Sequence, residues 1–140
     1  MKISYKADYA LKAVIDIAKH GDNEFANIKD IANRQDIPVK FLEHILLQLK
    51  TGDIVDSKRG VNGGYCLKKS AENIKMGEII KIIDNSMSVI SCIESDEYSN
   101  CKDIAICKMR KIYTEIDSYI KNILYNVSIK DLIENEPTEV

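Results

Sequence analysis

Apolar residues recur at helical spacing in three stretches near the start of the chain. The first stretch predicts an amphipathic helix over residues 5–19, ended by Gly21. The second, "NIKDIANRQDI", predicts a short helix for which Asn27 is the N-cap. In the third, Pro38 suits the first turn of a helix and Gly52 supplies the stop. The buried face of this third helix is predicted to consist of Leu42, Ile45, Leu46 and Leu49.

Two short strand-like runs follow the third helix, at residues 54–57 and 64–68, and the turn between them is rich in Gly and Asn. This pattern predicts a β-hairpin. The stretch "MGEIIKIID" predicts a fourth short helix, and a long helix is predicted from about Lys102 to Tyr125. So short a chain has little left to cover the apolar stripe of the long helix, so we expect a second copy of the protein to cover it. This stripe consists of Ile112, Ile116, Tyr119, Ile120, Ile123 and Val127.

Three helices followed by a glycine-rich hairpin is the order of a winged helix-turn-helix. The expected fold is therefore mainly α, a winged helix-turn-helix DNA-binding domain with a two-stranded wing and a long C-terminal dimerisation helix. We place a boundary near residue 85. The DNA-binding domain is expected at residues 1–85, and the cysteine loop and dimerisation helix at residues 86–140.

Charge is distributed unevenly along the chain of 140 residues, whose net charge is −2. Residues 38–70 hold six basic and three acidic side chains, whereas residues 71–140 hold eight basic and thirteen acidic ones. A basic segment beside an acidic one is typical of a duplex-binding head with a separate half that does not bind DNA. The alternative is an ordinary helix and hairpin with a solvated basic face.

In a winged helix-turn-helix the third helix reads base edges in the major groove, and the wing reaches the adjacent backbone or minor groove. We expect Arg59 to enter a minor groove, Lys40 to contact a phosphate and Glu43 to accept from a cytosine amino group. The glycines of the wing allow a tight turn and a close approach to the duplex. The complete set of predicted DNA-binding residues is Lys40, Phe41, Glu43, His44, Lys58, Arg59, Asn62 and Gly63.

Three of the four cysteines, Cys92, Cys101 and Cys107, form a C-x8-C-x5-C pattern. No apolar run approaches the length needed to span a bilayer, and acids come too early for a secretory signal, so we expect a cytoplasmic protein without a membrane partner. In a reducing cytoplasm, clustered cysteines indicate metal or redox ligands rather than disulfides. Thiolates suit iron–sulfur clusters and zinc, and three of them leave one coordination position open. A zinc site and a bare thiol switch remain alternatives.

The residues resemble the IscR/NsrR-type (Rrf-two) family of winged-helix bacterial transcription regulators, in its iron–sulfur cluster branch. The resemblance rests on "MKISYKADYALKAVIDIA", "FLEHILLQLKTGDIVDSKRGVNGGYCL" and "MGEIIKIID", and it extends to "NVSIKDLI" near the C-terminus. It implies a homodimer that binds a double-stranded DNA operator and swaps its long helix against the partner. It also implies a cysteine loop holding a cluster, 2Fe-2S or 4Fe-4S, that changes DNA affinity.

A cluster needs a fourth ligand besides the three thiols, and three positions are candidates for it. In nitric-oxide-sensing relatives an acid at the position of Asp8 is a ligand from the other subunit, so the resemblance favours Asp8. In the IscR-like branch a His follows the last cysteine, but Arg110 stands there in this chain. Cys66, in the wing, is most simply a half-buried residue of a strand. The first cysteine spacing, x8, is longer than the family's usual range, and Glu94, Asp96 and Glu97 make the loop acidic.

The resemblance and the thiols together predict a homodimeric regulator, a repressor, whose cluster senses redox state, nitric oxide or iron–sulfur status. The alternative is a cluster-free regulator of the same fold that acts through a protein partner, as in the cysteine-metabolism branch, or through thiol oxidation. An electron-transfer protein would leave the wing without a purpose. We expect no enzymatic activity, because the two His are far apart and neither a nucleophile elbow nor a phosphate-binding glycine loop occurs.

Overall fold

The computed structural model describes residues 1–21, 23–94 and 101–135. It confirms the mainly helical winged fold. A 3-10 turn, Ala71–Asn73, follows the wing. The helices are α1 (Tyr5–Lys19), α2 (Ile28–Gln35), α3 (Val39–Thr51), α4 (Met76–Asp84), α5 (Ser91–Glu94), α6 (Arg110–Asn126) and α7 (Ile129–Glu134), and the strands are β1 (Val55–Lys58) and β2 (Gly64–Leu67).

Helices α1 to α3 form where the apolar periodicity predicts them. The side chain of Asn27 accepts a hydrogen bond of 2.9 Å from the Lys29 backbone N–H and so caps α2 as expected. The predicted inner face of α3 is fully buried. Burying this face against α1 and α4 supplies most of the stability of a helix of only 13 residues. The division of the chain near residue 85 stays a prediction.

The wing is an antiparallel hairpin in which Val55 pairs with Leu67 and Lys58 pairs with Gly64. Its strands lie within one residue of the predicted runs. A second pairing fixes the wing to the helical core: Tyr65 and Ala26 exchange two backbone hydrogen bonds, each 2.8 Å long. The pairing with Ala26 therefore holds the wing to the segment just before α2. On the other side, the Ile54 N–H bonds to the Leu49 carbonyl of α3, so backbone hydrogen bonds also set the position of the wing relative to α3.

The predicted start of the long helix is wrong, because α6 begins at Arg110 and not near Lys102. Residues 101–107 form turns, in which the Ile104 N–H bonds to the Cys101 carbonyl and the Ile106 N–H to the Asp103 carbonyl. These are i to i+3 bonds. Ile106 is 75% exposed, so a helix there would bury no apolar face that could stabilise it. Helices α5 and α7 were not predicted.

Along α6 the predicted stripe divides into two parts. Ile120 packs against the core, with Leu124 buried beside it and Val127 half-buried at the helix end. The remaining residues of the stripe are exposed and follow a three–four spacing. Met109, three residues before Ile112, extends this exposed row by one position. The exposed row consists of Met109, Ile112, Ile116, Tyr119 and Ile123, with 42 to 69% of each residue accessible.

An ion pair between a buried carboxylate and a partly exposed guanidinium joins the first two helices. Asp16 of α1 is 7% exposed and accepts hydrogen bonds from Arg34 Nε at 3.0 Å, Arg34 Nη2 at 2.7 Å and Gln35 Nε2 at 2.9 Å. Burial disfavours the charged carboxylate, but the bonds from Arg34 and Gln35 outweigh it, and the pKa of Asp16 lies below its ordinary value. The pair therefore fixes the angle between α1 and α2 while Asp16 is ionised.

We expect Asp16→Ala to lower the free energy of unfolding at pH 7 by about 2–3 kcal/mol, because it leaves Arg34 and Gln35 without their acceptor. The folded-state pKa is depressed, so this stabilisation is present above the ordinary carboxyl pKa of 3.8 and is lost as the pH falls through the folded value. Urea unfolding at pH 7 and pH 3 measures both effects. Glu134→Ala, which removes an exposed pair with Lys130, is the control and should cost less than about 0.5 kcal/mol. An equal loss at both pH values would contradict this explanation.

Candidate nucleic-acid interface and thiol pocket

The outer face of α3 carries the predicted base-reading residues. Lys40, Phe41, Glu43 and His44 are all exposed, opposite the buried face of the same helix. The Phe41 ring rests edge-on against Tyr9 of α1, with ring centroids 5.7 Å apart and an interplanar angle of 83°. Phe41 is thus anchored, whereas its three polar neighbours are free to meet a groove. The structure brings these four side chains together on one surface.

The wing places its basic residues beside this surface. Lys58, Arg59 and Asn62 are exposed, and the Lys58 ammonium lies 5.8 Å from the centroid of the Phe25 ring. Gly63 is required for the tight hairpin, since a Cβ at this position would lie 2.2 Å from the Lys58 carbonyl oxygen. Val61 at the tip is fully exposed.

A concave notch of about 420 Å³ separates the wing from α3. Three cations line it and no acidic side chain does, which gives it a positive potential suited to a phosphate of a nucleic-acid backbone. Two members of the notch, Lys50 and Ser57, are joined by a hydrogen bond of 2.6 Å between Lys50 Nζ and Ser57 Oγ. The lining residues are Asn27, Ile28, Leu47, Lys50, Ser57, Lys58, Arg59, Gly60, Gly63, Gly64 and Tyr65.

Sequence reasoning missed Lys50, Ser57 and Leu47 as members of this surface. Leu47 is 61% exposed although it lies in an apolar run of α3. Gln48 is half-buried, and its Oε1 atom is enclosed without a hydrogen-bond partner among the described residues. The exposure of Leu47 could have been predicted from the helical register, because its position lies outside the buried face of α3. The proximity of Lys50 to Ser57 depends on how the wing folds back and is not visible in the sequence.

The three clustered cysteines line one small pocket of about 20 Å³, together with Ile104 and Arg110. The volume is about that of a single water site. Cys101 is exposed and the other two are half-buried, and all of them are free thiols. Arg110 is the first residue of α6, and its Nη1 donates a long hydrogen bond of 3.4 Å to the Cys92 carbonyl.

The two other ligand candidates lie elsewhere in the chain. Asp8 pairs with Lys12 Nζ at 2.8 Å and lies in a separate hollow with the N-terminal residues. Cys66 lies half-buried in β2, where burial and the nearby Asp56 carboxylate raise the pKa of its thiol. Neither residue lines the pocket of the three cysteines. Asp96 and Glu97, which we expected to make the loop acidic, lie outside the described residues.

The donor chemistry of the pocket fits an iron–sulfur cluster or zinc. Three soft sulfur donors face one space, and the permanently charged guanidinium of Arg110 can offset the negative charge of thiolates but cannot itself coordinate a metal. Within residues 1–21, 23–94 and 101–135, however, no three His, Cys, Asp or Glu side chains are close enough to hold one metal ion. The turns of residues 101–107 would have to open for the thiols to enclose a cluster.

The exposed face of α3, the basic notch and the two-stranded wing beside it define a winged helix-turn-helix DNA-binding protein. Among the helices of the described ranges, none is both long and apolar enough to cross a membrane. A family model described as "Rrf2: Iron-dependent Transcriptional regulator" matches residues 3–135. The chain belongs to the Rrf2 family, which confirms the family resemblance found in the sequence, while the iron–sulfur cluster branch stays a prediction. The protein is a transcription regulator and not an enzyme.

Relatives with assigned names cover nearly the whole chain. The chain is 32% identical to Protein rrf2 of Nitratidesulfovibrio vulgaris over 96% of its own length and 89% of the relative's. It is 30% identical to the HTH-type transcriptional regulator IscR of Vibrio campbellii, over 100% of this chain and 82% of that protein.

Two solved structures show the same fold. CymR, described as the global cysteine regulator of B. subtilis, superposes with a TM-score of 0.78 at 27% identity, covering 95% of this chain and 96% of CymR. IscR of T. potens superposes with a TM-score of 0.74 at 25% identity, covering 96% of this chain and 87% of that one. The chain is therefore similar to regulators of both the IscR and the CymR type.

Proposed function

We propose that this Rrf2-family regulator represses transcription in the cytoplasm by binding operator DNA as a homodimer, and that a thiol-bound iron–sulfur cluster changes its affinity for DNA. The observation that carries the proposal is the meeting of Cys92, Cys101 and Cys107 at one pocket in a chain of this family. Repression is part of this proposal: a dimer bound over a promoter would block the access of other proteins to the same duplex.

DNA binding divides between reading and positioning contacts. Glu43 and His44 on α3 face base edges in the major groove, while Lys40, Lys58 and Arg59 supply charge to the backbone and the adjacent minor groove. The notch adds Lys50, whose ammonium is already oriented by Ser57. Positive charge therefore surrounds the reading residues on the wing side, which fixes the register of α3 on the duplex.

We expect Arg59→Ala to weaken binding to a duplex, selected by the protein from a random-sequence library, by about ten-fold or more, and to reduce the salt slope by about one. Lys50→Ala should give a similar slope change across all sequences. Glu43→Ala is the matched contrast, because loss of an acceptor should relax base preference at one position without lowering the slope. Fluorescence anisotropy over a series of salt concentrations measures each variant. Unchanged affinity for Arg59→Ala would contradict the placement of the wing.

The homodimer is supported by the exposed seam of α6, the five residues from Met109 to Ile123 that follow a three–four spacing. A stripe of this spacing is what one helix presents to another in a coiled coil, since it stays on one face for several turns. More than 40% of each residue is accessible, so the seam remains unburied by the described part of its own chain. A second copy of α6 carries the same stripe and fits it by symmetry.

We expect Ile116→Asp to convert the dimer into a monomer, because it buries an unpaired carboxylate at the centre of the seam. Ser118→Asp, on an exposed position of α6 outside the seam, is the control and should remain dimeric. Sedimentation velocity measures both variants. Binding to a two-fold operator should fall with the dimer, because half-site spacing requires two linked α3 helices. A dimeric Ile116→Asp protein would place the interface elsewhere.

The residues that would hold the cluster are Cys92, Cys101 and Cys107, with Asp8 of the second copy as the fourth ligand. When bound, an iron–sulfur cluster supplies iron that reacts with nitric oxide or oxygen and so changes the charge and stability of the site. Arg110 would stand beside the thiolates and offset part of their charge. Asp8 would have to leave its pair with Lys12 to become a ligand.

Protein purified without oxygen tests the cluster directly, by its visible absorption and by iron and acid-labile sulfide per chain. A brown protein with both elements supports the proposal, and the amounts per chain distinguish 2Fe-2S from 4Fe-4S. The alternative, regulation by a protein partner or by thiol oxidation, is favoured by the likeness to CymR proteins, since a solved structure of the Staphylococcus aureus CymR is described as an oxidized form. It predicts a colourless protein whose DNA affinity changes only with a partner or an oxidant.

A further inference from the structure

The short helix α5 carries Cys92 at one end and Glu94 at the other, and Glu94 contacts the end of α4. Its Oε2 atom accepts a hydrogen bond of 2.7 Å from Ser86 Oγ, and its Oε1 atom lies 3.5 Å from Lys81 Nζ. The Glu94 side chain is 29% accessible. Glu94, two residues after Cys92, therefore contacts Lys81 in the last turn of α4 and Ser86 just after that helix.

The last turn of α4 touches both elements that matter for DNA binding. Ile82 lies against the C-terminal end of α3, so tightly that a Cβ on Gly52 would be 2.6 Å from Ile82 Cδ1. Asp84 accepts hydrogen bonds from the backbone N–H and the hydroxyl of Ser4, the N-cap of α1. A displacement of this turn would therefore move α3 and the start of α1 together.

The segment between α4 and α5 is also fixed on its other side, by α6. Asp117, 4% exposed, accepts a hydrogen bond of 3.0 Å from the Val89 N–H, and Lys121 Nζ bonds to Ser88 Oγ at 3.1 Å. Because hydrogen bonds hold residues 88 and 89 against α6, the segment between α4 and α5 is not free to move and take up a displacement of α5. The contact of Glu94 with Lys81 and Ser86 then links α5 to the end of α4.

We propose that Glu94 is a positioning residue that couples the state of the thiol pocket to the recognition helix α3 through the last turn of α4. The proposal rests on the proposed function, since it assumes that the thiols control DNA binding. Ligation of Cys92 would reorient α5, pull Glu94 away from Lys81 and release the turn that supports α3. Coupling of this kind is reciprocal, so DNA bound at α3 must change the environment of Cys92.

The test measures the rate at which iodoacetamide alkylates Cys92 in metal-free protein, with and without a saturating duplex selected by the protein. Mass spectrometry separates Cys92 from the other cysteines. In the wild type we expect DNA to change the alkylation rate of Cys92 severalfold, which is a usual size for coupling between two sites. In Glu94→Ala we expect DNA to change that rate by less than about 1.5-fold. The swap Glu94→Lys with Lys81→Glu restores the pair and should restore the DNA effect. Glu115→Ala, on the exposed face of α6, should behave as the wild type.

A wild-type rate that ignores DNA, or a Glu94→Ala rate that responds as strongly as the wild type, would overturn the coupling role. The affinities of cluster-loaded and metal-free protein for the same duplex separate this failure from failure of the proposed function. If the wild type shows a cluster effect that Glu94→Ala keeps, only the role of Glu94 falls. If the wild type shows no cluster effect, cluster sensing falls, and the alkylation rates still decide whether Glu94 links Cys92 to the DNA-binding face.

Discussion

Replacing Cys101 with alanine is expected to abolish bound iron and acid-labile sulfide in protein purified without oxygen. Cys101 is the most exposed of the three thiols that line the pocket, and its loss leaves two soft donors, too few to retain a cluster. The visible absorption should vanish with the metal. The fold should persist, because the exposed thiol contributes little buried surface.

Cys66→Ala is the matched control for this experiment. Cys66 is a free thiol of the same chain, but it lies in β2 outside the pocket, and its raised pKa keeps it protonated near neutral pH. Its variant should therefore retain iron, sulfide and colour. Loss of the cluster in Cys66→Ala, or its retention in Cys101→Ala, would contradict the assignment of the thiol pocket as the cluster site.

Replacing Gly64 with alanine is expected to detach the wing from the helical core and to lower the free energy of unfolding by about 3 kcal/mol. Gly64 has a φ of +150°, and a Cβ there would lie 2.2 Å from the Ala26 carbonyl oxygen and 2.6 Å from its carbonyl carbon. This backbone cannot yield without breaking the paired hydrogen bonds between Ala26 and Tyr65. DNA affinity should fall as well, because the wing would no longer be held beside α3.

Gly60→Ala separates backbone strain from the clash. Gly60 also has a positive φ, of +113°, but nothing lies within 4 Å of the position of its Cβ. This variant should lose only the cost of the strained conformation, about 1 kcal/mol. Urea unfolding followed by circular dichroism measures both variants. Equal losses for Gly60→Ala and Gly64→Ala would show that the contact with Ala26 does not hold the wing.

Local pattern was enough to predict the elements that carry their own signals. The buried face of α3, the cap at Asn27 and the glycine-rich turn of the wing each depend on residues close together in the chain. Helix α7 also had such a signal: Ser128 and Asp131 form a capping box, with bonds of 3.0 and 2.8 Å. The start of α6 was misplaced because residues 101–107 form turns, in which Ile104 lines the thiol pocket and Ile106 meets no surface that would bury it.

The candidate site was only partly predictable for a different reason. The reading residues of α3 and the wing could be named from helical register and turn chemistry. The notch formed by Lys50 and Ser57 exists only after the wing folds over α3. The contact between Glu94 and Lys81 joins two helices whose separation in the chain gives no periodic signal. Such contacts are consequences of tertiary packing, and pattern along the chain does not encode them visibly.

The central claim is that the thiol pocket controls DNA binding, and a comparison of operator affinities tests it most directly. Cluster-loaded and metal-free protein would be titrated, without oxygen and at one salt concentration, against the same duplex selected by the protein. Our account predicts dissociation constants that differ by about ten-fold, and a difference that disappears in Cys101→Ala. Equal dissociation constants for the loaded and metal-free wild type would contradict it.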